Sequence, residues 1–189
     1  KNLETNQWDL NTTIDSANQI HNETLDSDAY FGFSVSISDS YVAIGCPKDK
    51  ELVDGVNEYS FGSVFIYSLN LVIGGVDIGF GVPGAVPARL GYKVDLSNNA
   101  LLISAPDMRS GQDGLNNEAG VVILFSIDDD TFIVKDLFDG LSFNSERLGD
   151  FISLYEKTNV NDDTQTTKRV IALAKTKRFS EYDHETVYI

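Results

Sequence analysis

Tyr30-Phe31-Gly32-Phe33-Ser34-Val35-Ser36-Ile37-Ser38 recurs twice, in altered form, further along the chain. The second copy is Arg89-Leu90-Gly91-Tyr92-Lys93-Val94-Asp95-Leu96-Ser97. The third is Arg147-Leu148-Gly149-Asp150-Phe151-Ile152-Ser153-Leu154-Tyr155. Phe31 and Leu90 stand 59 positions apart and Leu90 and Leu148 stand 58 apart, so the period is nearly constant. A fixed period marks an architecture in which one unit cannot bury its own apolar surface and neighbours must stack.

Each opening is followed by a second apolar run. It is Tyr41-Val42-Ala43-Ile44, closing on Gly45-Cys46-Pro47, and then Leu101-Leu102-Ile103, closing on Ser104-Ala105-Pro106. The third repeat has Val170-Ile171-Ala172-Leu173-Ala174 after a polar insertion. A third run reads Gly62-Ser63-Val64-Phe65-Ile66-Tyr67, then Gly120-Val121-Val122-Ile123-Leu124-Phe125, then Glu185-Thr186-Val187-Tyr188-Ile189. Fourth runs span Leu69 to Ile78 and Thr131 to Phe138. These stretches are short, rich in Val, Ile, Phe and Tyr, and bounded by Gly, Asn, Asp and Pro. They read as β-strands, and no window carries a helical period. The expected fold is all-β, with blades of four antiparallel strands stacked as in a propeller.

Phe31-Gly32 with Gly45-Cys46-Pro47, and Leu90-Gly91 with Ser104-Ala105-Pro106, resemble the FG-GAP repeat of integrin alpha-subunit heads. The positions that carry the resemblance are Phe31, Gly32, Gly45, Pro47, Leu90, Gly91, Ala105 and Pro106. In the third repeat Leu148-Gly149 survives without a Gly-Ala-Pro. Glycine permits positive φ and close approach of chains, and a small residue followed by proline ends a strand sharply. The resemblance implies an extracellular or cell-surface setting and binding or adhesion through loops on one propeller face. The same family includes accessory propellers of secreted enzymes. Cys46 fills the small-residue slot and reads as a buried, inert thiol.

The expected division is residues 1–29 as an outer strand and linker, 30–88 and 89–146 as complete blades, and 147–189 as an incomplete blade. Gln7 to Ile14, including Trp8, reads as the outer strand of a preceding blade. Propellers typically use four to eight blades. The repeats are therefore expected to be part of a larger propeller. Either more blades lie beyond this sequence, or the N-terminal strand completes the last blade within one chain or between copies, building a dimer or a fibril.

A formal charge of −15 opposes binding to nucleic-acid phosphates and to anionic membranes. No apolar run is long enough to span a bilayer. The acidity suits a bound cation, a basic protein partner, or plain solubility. Calcium is the candidate cofactor, with Asp107, Asp113, Asn116 and Glu118 as candidate ligands. Asp49, Glu51 and Asp54 with Gly55, the run Asp128-Asp129-Asp130, and Asp162-Asp163 are further acidic loops. None has the Asp-x-Asp-x-Asp-Gly spacing of integrin-type loops, and solvated turn chemistry competes with every one.

Asn11-Thr12-Thr13 and Asn22-Glu23-Thr24 are glycosylation sequons. His21 and His184 lie far apart, and no nucleophile, metal-protease or phosphate-loop motif is present, so no enzyme activity is expected. The weakly charged stretch Gly74 to Pro87 reads either as a buried inter-blade connection or as a contact patch for another subunit. The expected partner is a protein or another copy of the chain.

Overall fold

The computed structural model describes residues 28–53, 57–69, 75–77, 88–108, 119–129, 131–140, 147–161, 164–175 and 187–188. Every regular element among them is a strand. The first repeat forms β1 (Ser34–Ile37), β2 (Tyr41–Cys46), β5 (Ser63–Ser68) and β6 (Gly75–Asp77), hydrogen-bonded in that order as one antiparallel sheet. A hairpin of β3 (Lys50–Val53) and β4 (Asn57–Ser60) stands apart from it. The second repeat forms β7 (Lys93–Leu96), β8 (Ala100–Ala105), β9 (Val121–Asp128) and β10 (Thr131–Asp139), paired in the same order. The third repeat forms β11 (Leu148–Asn161), β12 (Thr164–Lys175) and β13 (Val187–Tyr188).

Alternation along the strands sorts the side chains onto two faces of each sheet. In the middle sheet both faces are covered. Leu101, Ile103, Ala105, Val121, Ile123 and Phe125 pack with Ala43, Val64 and Ile66 of the first sheet. Ala100, Leu102, Val122 and Leu124 pack against Leu148, Ile152, Leu154 and Ile171 of the third. That is why β8 and the first six residues of β9 are buried without interruption, and why they read as unbroken apolar runs. Burying each of the Leu, Ile, Val and Phe side chains among them contributes about 1.5–3 kcal/mol relative to leaving it in water. The three sheets are therefore stacked face to face, as blades stack.

The repeat also appears in the backbone. Tyr30, Arg89 and Arg147 have φ of 61°, 53° and 57°, and each is followed two residues later by a glycine at 85°, 83° or 99°. Leu90 donates its N–H to Phe61 O and Leu148 to Ala119 O, both at 2.9 Å. The third repeat thus keeps the opening geometry although its sequence match is the poorest. Gly91 needs its glycine twice over: φ is positive, and a Cβ would overlap the Ser63 carbonyl oxygen. Gly45 needs it for space alone, since a Cβ there would overlap the Gly91 carbonyl.

Two elements differ from the sequence expectation. The acidic loop around Asp49 and Glu51 continues into the β3–β4 hairpin. The polar insertion of the third repeat is not a loop, because β11 and β12 stay paired from Leu154↔Ile171 out to Asn161↔Thr164. The fourth strand of the first repeat is Gly75–Asp77 among the described residues, within the expected Leu69–Ile78. Phe31 and Ala29 pack around a buried Cys46, whose thiol lies 3.2 Å from the Ala29 carbonyl oxygen. β10 is an outer edge with a bulge between Val134 and Asp136, and Lys135 is exposed there, features that discourage edge-to-edge pairing.

Candidate functional site

The turn between β1 and β2, the turn between β7 and β8, and the β11 strand come together at one end of the stack. Each of the two turns is fixed by a serine. Ser38 Oγ accepts the N–H of Ser40 and of Tyr41, at 3.3 and 3.1 Å. Ser97, 59 positions on, does the same for Asn99 and Ala100 at 3.4 and 3.0 Å. This local bonding competes with strand pairing and turns the chain.

An open polar cleft of about 310 Å³ lies between these turns, lined by Ser38, Asp39, Leu96, Ser97, Asn98, Asn99 and Glu156. Asp39 and Asn98 bond reciprocally: the Asp39 N–H donates to Asn98 Oδ1 at 2.9 Å, and Asn98 Nδ2 donates to Asp39 Oδ2 at 2.7 Å. Glu156 Oε2 accepts from Ser97 Oγ at 2.6 Å and from Asn99 Nδ2 at 3.2 Å. The cleft therefore presents two carboxylates, Asp39 on the β1–β2 turn and Glu156 on β11. Such a surface suits cationic or hydrogen-bond-donating groups. Sequence reasoning missed it, because Asp and Asn are common turn residue types and a lone Glu156 carries no motif. The usable signal was the shared register of Ser38-Asp39 and Ser97-Asn98.

The other end of the stack carries a buried ionic cluster. Asp107 receives Arg89 Nε at 2.7 Å on one oxygen and Arg147 Nη1 on the other. Arg147 also grips Asp150 through Nε at 3.2 Å and Nη2 at 2.8 Å. Burial by itself lowers the pKa of the Arg147 guanidinium. The hydrogen bonds and charge of Asp150, followed by the charge of Asp107, outweigh that and raise it. Asp107 was a candidate calcium ligand. Here its two oxygens are engaged by two guanidinium groups, which already supply the positive charge a cation would bring. Asp113, Asn116 and Glu118 lie outside the described residues. Asp49 accepts from Ser63 Oγ at 2.6 Å, and Asp128 and Asp129 are exposed at the β9–β10 turn. Among the described residues no group of three His, Cys, Asp or Glu side chains is arranged to hold a metal.

The sequon asparagines Asn11 and Asn22, Trp8 and both histidines lie outside the described residues, as do Gly74 and residues 78–87 of the apolar connection. No helix among the described residues is long and apolar enough to cross a membrane. The motif residues Phe31, Gly32, Gly45 and Pro47 cluster at the ionic end of the first sheet, where the Gly32 N–H donates to Gly45 O at 3.2 Å. Leu90, Gly91, Ala105 and Pro106 repeat this in the second sheet, where the Gly91 N–H donates to Ser104 O at 3.0 Å.

Residues 23–67 match the family described as FG-GAP repeat. The match covers the first blade's opening, its Gly45-Cys46-Pro47 and most of its third strand. No curated protein matches the chain.

Proposed function

We propose that this chain, with an FG-GAP repeat as its first blade, is a non-enzymatic extracellular adhesion module that binds a protein partner through its turn-end cleft. The observation that carries the reading is the cleft itself. Asp39, Ser97, Asn98, Asn99 and Glu156 are brought together by three separate sheets and held by hydrogen bonds between them. Loops on a rigid scaffold are where binding function concentrates. The net charge of −15 favours a partner with a basic patch and speeds its approach. Sequons at Asn11 and Asn22 accord with a secretory route.

The test is binding of the chain to matched basic and acidic peptide arrays at physiological salt. Basic peptides are expected to be retained, and Glu156→Lys is expected to weaken them by about tenfold while the melting temperature holds. Equal retention of basic and acidic peptides, or unchanged binding by Glu156→Lys, would sink the reading.

A further inference from the structure

The turns ahead of the innermost strands β1, β7 and β11 share one form. Phe33, Tyr92 and Asp150 each donate an N–H to the carbonyl three residues back, on Tyr30, Arg89 and Arg147. The shared turn sets matched side chains beside one another at each seam between sheets. At the second seam, between the second and third sheets, Arg147 joins Asp107 to Asp150. At the first seam, between the first and second sheets, the matched positions carry rings. Phe33 lies between Tyr30 and Tyr92, with centroids 6.3 and 5.2 Å away. Lys48 Nζ stands 4.1 Å from the Tyr30 centroid. Lys93 Nζ stands 5.9 Å from the Phe33 centroid and 5.7 Å from that of Tyr92. The contacts form one row of an ammonium, three rings and a second ammonium.

The stability of the seam does not account for this row. Tyr30 and Phe33 are 47% and 45% exposed. Cation–π contacts at exposed sites contribute only about 0.5–1 kcal/mol. Neither lysine has a carboxylate partner among the described residues, although acidic residues outnumber basic ones by 29 to 14 in the chain. The row therefore presents ring surface and two ammonium groups to water.

Charge and chemistry together define what fits there. Two ammonium groups without carboxylates are complementary to an anion. The N–H groups of Gly32, Phe33, Gly91 and Tyr92 are all engaged within the molecule, so an extended peptide finds little of the main-chain pairing by which it docks. What the row offers is side chains. The negative face of an aromatic ring attracts the polarised C–H bonds of a pyranose, and an ammonium group takes a carboxylate by charge-assisted hydrogen bonds. A chain at −15 repels a dense polyanion, which favours a saccharide whose carboxylates are spaced along it.

We propose that the first seam binds an acidic saccharide, with the Phe33 ring stacked on a pyranose face and Lys48 and Lys93 holding uronate carboxylates. Phe33 is the ring suited to stacking, because two neighbouring rings fix its orientation and Lys93 stands farther from it than Lys48 does from Tyr30. The site lies at the ionic end of the stack, opposite the cleft, and takes a different ligand from the protein partner proposed above.

The experiment is calorimetric titration of the full chain with a hyaluronan oligosaccharide, in which carboxylates fall on alternate sugars. A neutral chitin oligosaccharide of the same length and a glutamate peptide of the same charge are titrated beside it. Binding is expected for hyaluronan alone. Phe33→Leu keeps the apolar bulk but loses the ring, and is expected to weaken binding by about threefold to tenfold. Lys48→Gln and Lys93→Gln are each expected to weaken it by about tenfold. Circular dichroism checks that each variant keeps its sheets, and the two lysine variants carry the test if Phe33→Leu fails to fold. No binding of hyaluronan overturns the proposal. Equal binding of the glutamate peptide assigns the patch to acidic proteins and overturns it, and equal binding of the chitin oligosaccharide overturns the role of charge. Hyaluronan binding that ignores all three substitutions places the saccharide elsewhere and overturns it too. Phe33→Leu should leave retention on the basic peptide array unchanged, so failure at this seam and failure at the cleft are read separately.

Discussion

At the ionic end of the molecule, the first and second repeats close the same backbone contact with different side chains. Position 48 of the first repeat corresponds to 107 of the second, and Tyr30 corresponds to Arg89 and Arg147. In the first repeat Lys48 Nζ sits 4.1 Å above the Tyr30 ring. Phe33 and Tyr92 continue the aromatic cluster across the first seam, with ring centroids 5.2 Å apart. In the second repeat the cation and its partner change places: Asp107 supplies the charge on the proline loop, and Arg89 answers from the strand opening. Arg147 then ties Asp107 to Asp150 across the second seam. The backbone geometry is held constant, and the chemistry that closes it is free to vary as long as the partners remain complementary. The first seam is open to water, with Tyr30 and Phe33 exposed, and the second is buried. The same contact is therefore worth different amounts in the two places.

The sharpest way to break the comparison is Arg147→Ala. It removes one of the two guanidinium groups on Asp107 and both guanidinium bonds to Asp150, so buried carboxylate charge loses its buried cationic partner. The expected cost is about 3–5 kcal/mol, read by urea denaturation. The sign with pH follows from the raised pKa of Arg147. A base whose pKa rises on folding contributes stability fully below its unfolded value and loses it only as pH climbs through the folded one. An unfolded arginine stays protonated far above neutral pH, so the difference between wild type and variant should stay flat from about pH 7 to 10.

Leu102→Ala and Val35→Ala compare the covered middle sheet with an exposed position on the innermost strand of the first. Leu102 is fully buried against the third sheet, and its truncation is expected to cost about 2–5 kcal/mol. Val35 is mostly exposed, and its truncation should stay within about 0.5 kcal/mol. A large effect at Val35 would mean that this exposed position is packed against something in solution.

Much of this was legible in the sequence, for physical reasons that differ from residue to residue. The strands β2, β5, β8 and β9 were readable because sheets covered on both sides need unbroken apolar runs. The Gly32, Gly91 and Gly149 positions were readable because few other residues tolerate those angles. The β3–β4 hairpin was not, since Lys50-Glu51-Leu52-Val53 and Asn57-Glu58-Tyr59-Ser60 have little of the apolar enrichment used to find strands. The outer half of the β11–β12 hairpin was overlooked for the same reason, although Thr158, Thr164, Thr166 and Thr167 are β-branched and favour strands. Asp107 looked like a calcium ligand because a lone sequence shows an acidic residue after proline but not the two arginines that fold against it. The recurrence of arginine just before Leu90-Gly91 and Leu148-Gly149 was the signal to follow.

The seam bonds sharpen the comparison at smaller scale. Asp95 is charged and accepts the Leu154 N–H across the second seam, so Asp95→Ala is expected to cost about 1.5–3 kcal/mol. Ser36 is neutral and accepts the Leu96 N–H across the first, so Ser36→Ala should cost about 0.5–1.5 kcal/mol. Hydrogen exchange at the Leu154 amide reads the Asp95 bond, whereas the Leu96 amide also donates to Asp95 Oδ1 at 3.0 Å and responds to both substitutions. If both substitutions deprotect both amides equally, the seams open as one unit and the distinction between them is lost.

The smallest expected effect belongs to Lys48→Ala. The ammonium over the half-exposed Tyr30 ring is solvated, and cation–π contacts at exposed sites contribute about 0.5–1 kcal/mol. Lys48→Asp combined with Tyr30→Arg would install in the first repeat the pair that the second uses between Asp107 and Arg89. The positive φ of 61° at Tyr30 is no obstacle, because Arg89 and Arg147 hold 53° and 57° at the same place. The double variant should recover the stability that either single change loses, read as a coupling energy in a double-mutant cycle. No coupling would mean that the two repeats share a backbone but not an interchangeable contact, and that the ionic pair of the second repeat owes its strength to Arg147 and the burial around it.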